Sequence, residues 1–408
     1  MSLNMANISE VLKLFYLKEL RYQLNDKASA LLAQLEKSSE SVVGREIRMA
    51  LRYGRVGGIG NRPDDGVLPT PRARQTRQAA FETKNIFARF RLTDKTIEAS
   101  KSDLGAFANM LDQEVKDCEA DARLDLSRQA VGSGDGVLCA LTAAAAAAQA
   151  PATTQAVGVT TTMYLAEGML VDFRSAATGA LTNADHAACE ILSVDSDTQF
   201  TIADTAVEIP NAAIVCVAGN VTSVGGAPVV YELTGVQTVV NTGGTLYGIN
   251  RATSPWLNGW VTTVNGEISE TAIQREIDRV ETKSGSETNF LLCSKGVMRA
   301  YQNLQTAMKQ HVNNLDLKGG WSALSYSGGG QPIALVSDKY VPAGMMYGLD
   351  LNDWKMYQMA DWGWMDRDGA VLARVADRPS YEATLVKYAD LGCQRPRGQW
   401  RMIGITEH

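Results

Sequence analysis

One helical period sustained from Thr96 to Gly132 constrains this chain more than any other stretch. Apolar residues fall at Leu104, Phe107, Leu111, Val115, Cys118, Ala122 and Leu126, in steps of three or four that lay a single stripe along a helix. At about 1.5 Å per residue that helix runs roughly 45 Å. Ser100 with Asp103 has the spacing of a capping box at its start, and Gly132, Gly134 and Gly136 stop it, because glycine takes the left-handed conformation a helix end requires.

The polar residues beside the stripe are sorted by charge. On one flank Asp112 precedes Lys116, and Glu119 precedes Arg123, by four residues, the favoured order for helical ion pairs. On the other flank Glu114, Asp117, Asp121 and Asp125 follow one another with only Arg128 near enough to offset them. Like charges so placed repel by a few tenths of a kcal/mol per pair. Either this is a solvated acidic face, or it is a docking strip for a cationic arm.

The length allows two or three domains. A net charge of −6 without a basic tail argues against a chain that coats nucleic acid through its own cations. Glu10, Lys13, Lys18 and Glu19 interrupt the apolar residues near the N-terminus, which excludes a signal peptide, and no uninterrupted apolar run reaches membrane-spanning length. The expectation is a soluble, intracellular protein with no membrane partner. Six cysteines lie far apart without a C-x-x-C pair, and His186, His311 and His408 are isolated. Free thiols are expected, and neither a metal site nor a cofactor.

In chain order, Ile8 to Ser38 reads as a helix. Gly54 to Gln78 is rich in glycine and proline and carries Arg55, Arg62, Arg72, Arg74 and Arg77 against Asp64 and Asp65. It cannot bury itself. With Ile86 to Leu92 among its flanking strands it reads as the tip of a long hairpin, a cationic arm suited to contact between subunits. Leu141 to Ala156, with the alanine run Ala143 to Ala148 and Pro151, reads as a connector. From Thr160 to Thr222 short strands at Gly168–Phe173, Ala188–Val194, Gln199–Ile202 and Ala213–Ala218 point to an inserted antiparallel barrel or sandwich; its candidate core is Phe173, Ile191, Val194, Phe200, Ile202 and Val215. The alternative is that these strands extend a central sheet. Helices and strands alternate from Ile268 to Leu349 as an α/β layer, and strands close the chain at Tyr381–Tyr388 and Gln399–Ile405.

No catalytic motif emerges: there is no G-x-S-x-G elbow, no P-loop and no H-E-x-x-H. Asp361, Asp366 and Asp368 surround Trp362 and Trp364, but Asp368-Gly369 reads as a turn and the tryptophans as core or interface. No catalytic, cofactor-binding or metal residue is assigned.

Several phrases in a fixed order carry a resemblance. They are Arg128-Gln129 leading to Gly132, Gly134 and Gly136; Tyr247-Gly-Ile-Asn-Arg-Ala to Trp256; Leu317-Lys-Gly-Gly320; Trp354-Lys to Met359-Ala-Asp-Trp362; Tyr381-Glu-Ala-Thr; and Leu391-Gly-Cys-Gln-Arg395 within the closing stretch. Together they resemble the major capsid proteins of tailed bacteriophages with the Hong Kong 97-type fold. The resemblance implies an α+β chain with an N-terminal arm over residues 1–50 and an extended loop hairpin over 51–95. The spine helix and the start of a peripheral domain follow over 96–140, then a connector and inserted β module over 141–225. An axial domain with its connections would occupy 226–349, and C-terminal strands over 350–408 would complete the peripheral domain.

It further implies a non-enzymatic protein that assembles with itself into hexamers and pentamers of a head shell around double-stranded DNA. Scaffolding, portal and decoration proteins are the other candidate partners, the location is the virion, and assembly takes place in the host bacterial cytoplasm. The rivals are a cargo-enclosing nanocompartment and an α/β enzyme. Candidate subunit-contact residues are Arg55, Arg62, Arg72, Arg74 and Arg77 on the loop and Glu114, Asp117, Asp121 and Asp125 on the helix.

Overall fold

The computed structural model describes residues 29–39, 42–44, 46–94, 104–147, 153–203, 205–307, 314–316, 322–326, 332–366, 371–375 and 377–408. Two compact units divide the chain, one of Met1–Ser127 with Thr238–His408 and one of Arg128–Gln237.

The larger unit is built on two sheets and a hairpin. Its seven-stranded sheet runs in the order Trp260–Gly266, Trp400–Ile405, Met346–Leu349, Phe290–Cys293, Ile333–Ser337, Ser322–Tyr326, Asn314–Asp316. Helices Glu270–Ser284 and Lys295–Ala307 pack on one face of it, where Ile273, Ile277, Val280, Val297 and Tyr301 meet Leu291, Leu335, Met346, Trp400 and Met402. Sequence signals fix the helix ends. Ser269 accepts a hydrogen bond from Ala272 N–H, Gly285 closes the first helix in the left-handed region at φ 65°, and Ser294 Oγ accepts from Val297 N–H at 3.4 Å to start the second. Gly348 is obligatory for a different reason: a Cβ there would lie 2.0 Å from the Trp400 ring.

The five-stranded sheet is centred on Ser380–Cys393, which pairs antiparallel with Trp354–Trp364 on one edge and with Lys84–Thr93 on the other. Glu36–Ser38 adds in parallel to Trp354–Trp364. The expected helix from Ile8 to Ser38 therefore ends early. Residues to 28 lie outside those described, Ala30–Gln34 is helical, and at Glu36–Ser38 the open edge of the sheet overrides helix propensity. The capping pair Ser100 and Asp103, the Leu317 to Gly320 phrase, His311 and the Asp368-Gly369 turn also lie outside the described residues.

Two strand partnerships differ from the expectation. The hairpin is made by Glu46–Arg52 with Thr76–Glu82, whereas Lys84–Thr93, which contains Ile86–Leu92, leaves it for the C-terminal strand Ser380–Cys393. The two C-terminal strands also separate, because Trp400–Ile405 enters the seven-stranded sheet between Trp260–Gly266 and Met346–Leu349. Alternating burial identifies a strand and its inner face but not the neighbour it will choose.

The smaller unit carries a two-stranded hairpin, Val221–Val224 with Ala227–Val230, and a six-stranded sheet in the order Val137–Ala140, Ala213–Val217, Leu170–Ser175, Cys189–Ser196, Gln199–Ala203, Thr154–Gly158. Its ends meet. Leu141 bridges Val159, Thr142 N–H donates to Gly158 O at 3.0 Å and Thr160 N–H to Ala140 O at 2.9 Å, so the sheet closes into a small barrel and leaves no open edge. Phe173, Ile191, Phe200, Ile202 and Val215 fill it, with Val194 packed alongside. The barrel begins before Thr160: Val137–Ala140 and Thr154–Gly158 are staves, and the alanine tract is not a free connector, since Ala145 and Ile209 exchange two hydrogen bonds of 2.9 Å. Gly235 is required where the chain leaves, because a Cβ would fall 2.0 Å from Gly132 O.

Entry and exit of the barrel lie side by side, with Val221 and Val230 packed over Gly136. Replacing residues 137–230 with a short Gly/Ser linker should therefore leave a soluble remainder that unfolds in one cooperative transition, as followed by circular dichroism during urea titration. An insoluble product would show that the larger unit depends on the barrel.

Candidate assembly surfaces

The loop between the hairpin strands is held by few bonds. Tyr53 N–H donates to Gln75 O at 3.2 Å, Arg72 N–H to Gly57 O at 3.3 Å, and Gly66 N–H to Pro63 O at 2.9 Å in a tip turn. Arg62 is fixed to the loop itself, its Nε donating to Val67 O at 3.0 Å and its Nη1 to Asn61 O at 3.1 Å. At the base, Tyr53 stacks on Trp256 with centroids 4.6 Å apart, and Arg77 Nη1 donates to Ser254 Oγ at 2.9 Å. Beyond that anchorage the loop is exposed, and it is not only cationic. Ile59, Val67 and Leu68 are 70%, 89% and 83% exposed, an apolar tip flanked by exposed Arg55, Arg62, Arg72 and Arg74. Composition concealed this group, since three aliphatic residues are diluted among glycines and prolines.

The long helix spans Leu104–Val131 among the described residues. Glu114, Asp117 and Asp121 are exposed and Asp125 is half-buried, so the acidic row stands on one outer flank. Burial, and after it the neighbouring Asp117 carboxylate, push the Asp121 carboxyl above its ordinary value. Arg128, expected beside the row, is buried instead in an ion pair with Glu232 at 2.6 Å. The loop arginines and the acidic row are thus separate surfaces: Arg77 reaches Ser254, and Arg55, Arg72 and Arg74 make no side-chain hydrogen bond or ion pair among the described residues.

Among the described residues no side-chain cluster has the arrangement of a catalytic centre. No group of three His, Cys, Asp or Glu side chains among the described residues could hold a metal ion, and no helix among them is long and apolar enough to cross a membrane. All six cysteines are free, four of them buried. Asp361, flagged among the carboxylates near Trp362, is engaged by Lys37 at 2.8 Å and Lys387 at 2.7 Å.

The chain is similar in structure to the capsid subunit of cyanophage A-1(L), with 93% of each chain covered, a TM-score of 0.53 and 14% identity. The chain has the fold of that capsid subunit. Further solved structures with the same coverage of this chain are the holo-SrpI encapsulin complex of Synechococcus elongatus PCC 7942, at 8% identity over 90% of that chain with a TM-score of 0.47, and the capsid of a native GTA particle, at 10% identity over 91% with 0.46. No family model matches the sequence. No curated protein matches it either.

Proposed function

We propose that this chain is a structural shell protein, copies of which assemble into the icosahedral or elongated head of a tailed bacteriophage around double-stranded DNA. The observation that carries the reading is the hairpin tip. A monomer that leaves Ile59, Val67 and Leu68 in water gains nothing from them, whereas a neighbouring copy can bury them. The capsid fold supports the same conclusion. In this reading residues 1–50 are the arm, 51–95 the extended loop region, 96–140 the spine helix and its continuation, and the barrel an insertion. Hexamers and pentamers join through unlike surfaces, and such contacts close a shell only at permitted angles. Scaffolding, portal and decoration proteins and packaged DNA are the remaining proposed partners, the virion is the proposed location, and the host bacterial cytoplasm is the proposed site of assembly.

Expression of the full chain, alone and with neighbouring head genes, tests this by light scattering and negative-stain microscopy. Closed particles tens of nanometres across that protect DNA from nuclease are expected. A monomer under all salt and crowding conditions would overturn the proposal, and shells that enclose a protein cargo without DNA would move it to a nanocompartment.

Contacts between the loop arginines and the acidic row of an adjacent copy are part of the same proposal. Exposed pairs contribute only about 0–1 kcal/mol each, but a shell repeats them. Arg72→Glu with Arg74→Glu should weaken assembly most at low salt, with unchanged subunit unfolding. Normal assembly of this variant at every ionic strength would give the acidic row another role.

A further inference from the structure

At the base of the hairpin, within the larger unit, a cleft of about 510 Å³ is lined by Arg52, Tyr53, Trp256, Lys283, Arg395 and Arg397 among others. Four cationic residues line it and none of the lining residues is a carboxylate. The neighbouring Asp353 offsets part of one cation, with its Oδ2 3.8 Å from Arg395 Nε. Two of the guanidiniums are aimed by the protein. Arg395 Nη1 donates to Gly285 O at 3.2 Å. Arg397 Nη1 donates to Pro255 O at 3.4 Å, and its guanidinium lies 3.7 Å from the centroid of Trp260, which carries Arg279 at 4.1 Å as well. Arg52 and Lys283 are exposed and make no side-chain hydrogen bond or ion pair among the described residues. Like charges gathered at a concave surface repel, and an anion seated among them removes that cost.

The second element of the cleft is flat and aromatic. Tyr53 and Trp256 are stacked with their planes only 9° apart, and Tyr53 is 42% exposed. A simple anion uses only the cations; a ligand that uses both elements carries phosphate on a planar heterocycle. Aromatic platforms beside a cationic groove hold bases by stacking, at about 1–3 kcal/mol per base, and the volume falls within the range of small-ligand sites. We propose that this cleft binds a nucleoside phosphate, with Arg52, Lys283 and Arg397 on the phosphate and the Tyr53–Trp256 pair beneath the base. The ligand could be supplied as a free nucleotide or as the end of a nucleic-acid strand. The site lies within one chain, so it stands or falls independently of shell assembly.

Fluorescence anisotropy of a labelled ATP analogue on the unassembled full-length subunit tests the proposal, with ATP, inorganic tripolyphosphate, a short single-stranded oligonucleotide and polyglutamate as competitors. ATP is expected to compete about tenfold better than tripolyphosphate, because only ATP stacks. Arg52→Glu with Lys283→Glu should lose at least about tenfold in affinity without changing the urea midpoint, since both side chains are exposed. Trp256→Leu should abolish the advantage of ATP over tripolyphosphate. An oligonucleotide that outcompetes ATP identifies a strand end as the source, and equal or weaker competition identifies the free nucleotide. Absence of binding at low salt, binding untouched by the double charge variant, or competition by tripolyphosphate or polyglutamate equal to that of ATP would each overturn the proposal.

Discussion

Val67→Asp with Leu68→Asp should yield a folded, soluble subunit that forms no shells. Both side chains are almost fully exposed in the single chain, so the substitution costs the subunit nothing. In an assembled contact, each loses the roughly 1.5–3 kcal/mol that burying a Val or Leu side chain contributes, and a desolvated, unpaired carboxylate adds a penalty of several kcal/mol. That exceeds anything the loop arginines supply, because exposed ion pairs are worth about 0–1 kcal/mol. The apolar tip should therefore decide whether shells form, and the arginines should tune the salt dependence. Sedimentation velocity measures assembly and far-ultraviolet circular dichroism measures folding; shells at normal yield would show that the tip remains wet after assembly.

The second large effect is expected inside the five-stranded sheet. Lys387 is 2% exposed, and its ammonium reaches Asp361 Oδ1 at 2.7 Å and Gln358 Oε1 at 3.3 Å, while Lys37 approaches the other Asp361 oxygen at 2.8 Å. Burial pushes the Asp361 carboxyl upward, but the two ammonium groups outweigh it and hold the carboxyl well below the usual carboxylate range. Burial lowers the Lys387 pKa despite Asp361. Asp361→Asn leaves a buried ammonium without a counter-charge, which should destabilise the subunit by about 2–3 kcal/mol. The figure lies below the 3–5 kcal/mol of a fully buried pair because the Asp361 side chain is 40% exposed.

Lys387→Met added to Asp361→Asn should recover most of that loss, since no buried charge remains and the side chain at 361 is 40% exposed, so water can satisfy its amide. The pH dependence has a fixed sign. A carboxylate whose folded pKa is depressed contributes stability at all pH values above its unfolded pKa, and the contribution is lost as pH falls through the folded value. Wild-type protein should thus lose stability below about pH 4 by an amount that the double variant does not show. Urea unfolding at pH 7 and pH 3 measures both; equal acid sensitivity of the two proteins would remove Asp361 from the account.

Local signals in the sequence located elements well and partners poorly. Gly285 and Ser294 are sequence signals at helix ends that form there, and the barrel core from Phe173 to Val215 follows from alternation alone. What alternation does not contain is the identity of a distant strand. Lys84–Thr93 and Ser380–Cys393 are nearly three hundred residues apart, and each reads as half-buried whatever lies beside it. Helical spacing placed Arg128 within reach of Asp125, but spacing says nothing of Glu232, which comes from another segment and takes the guanidinium. The cleft was illegible for the same reason: Arg52, Trp256, Lys283 and Arg397 belong to four segments that only the tertiary fold brings together.

The place of Trp400–Ile405 in the seven-stranded sheet bears on the timing of synthesis. It is made after the other six strands yet occupies a slot between two of them, and Trp400 and Met402 belong to the core beneath the helices. A nascent chain that has emerged only as far as residue 399 holds a sheet split in two, with an unfilled groove where the strand will lie. If the chain builds a shell as proposed, only chains translated past this point carry the complete sheet into it.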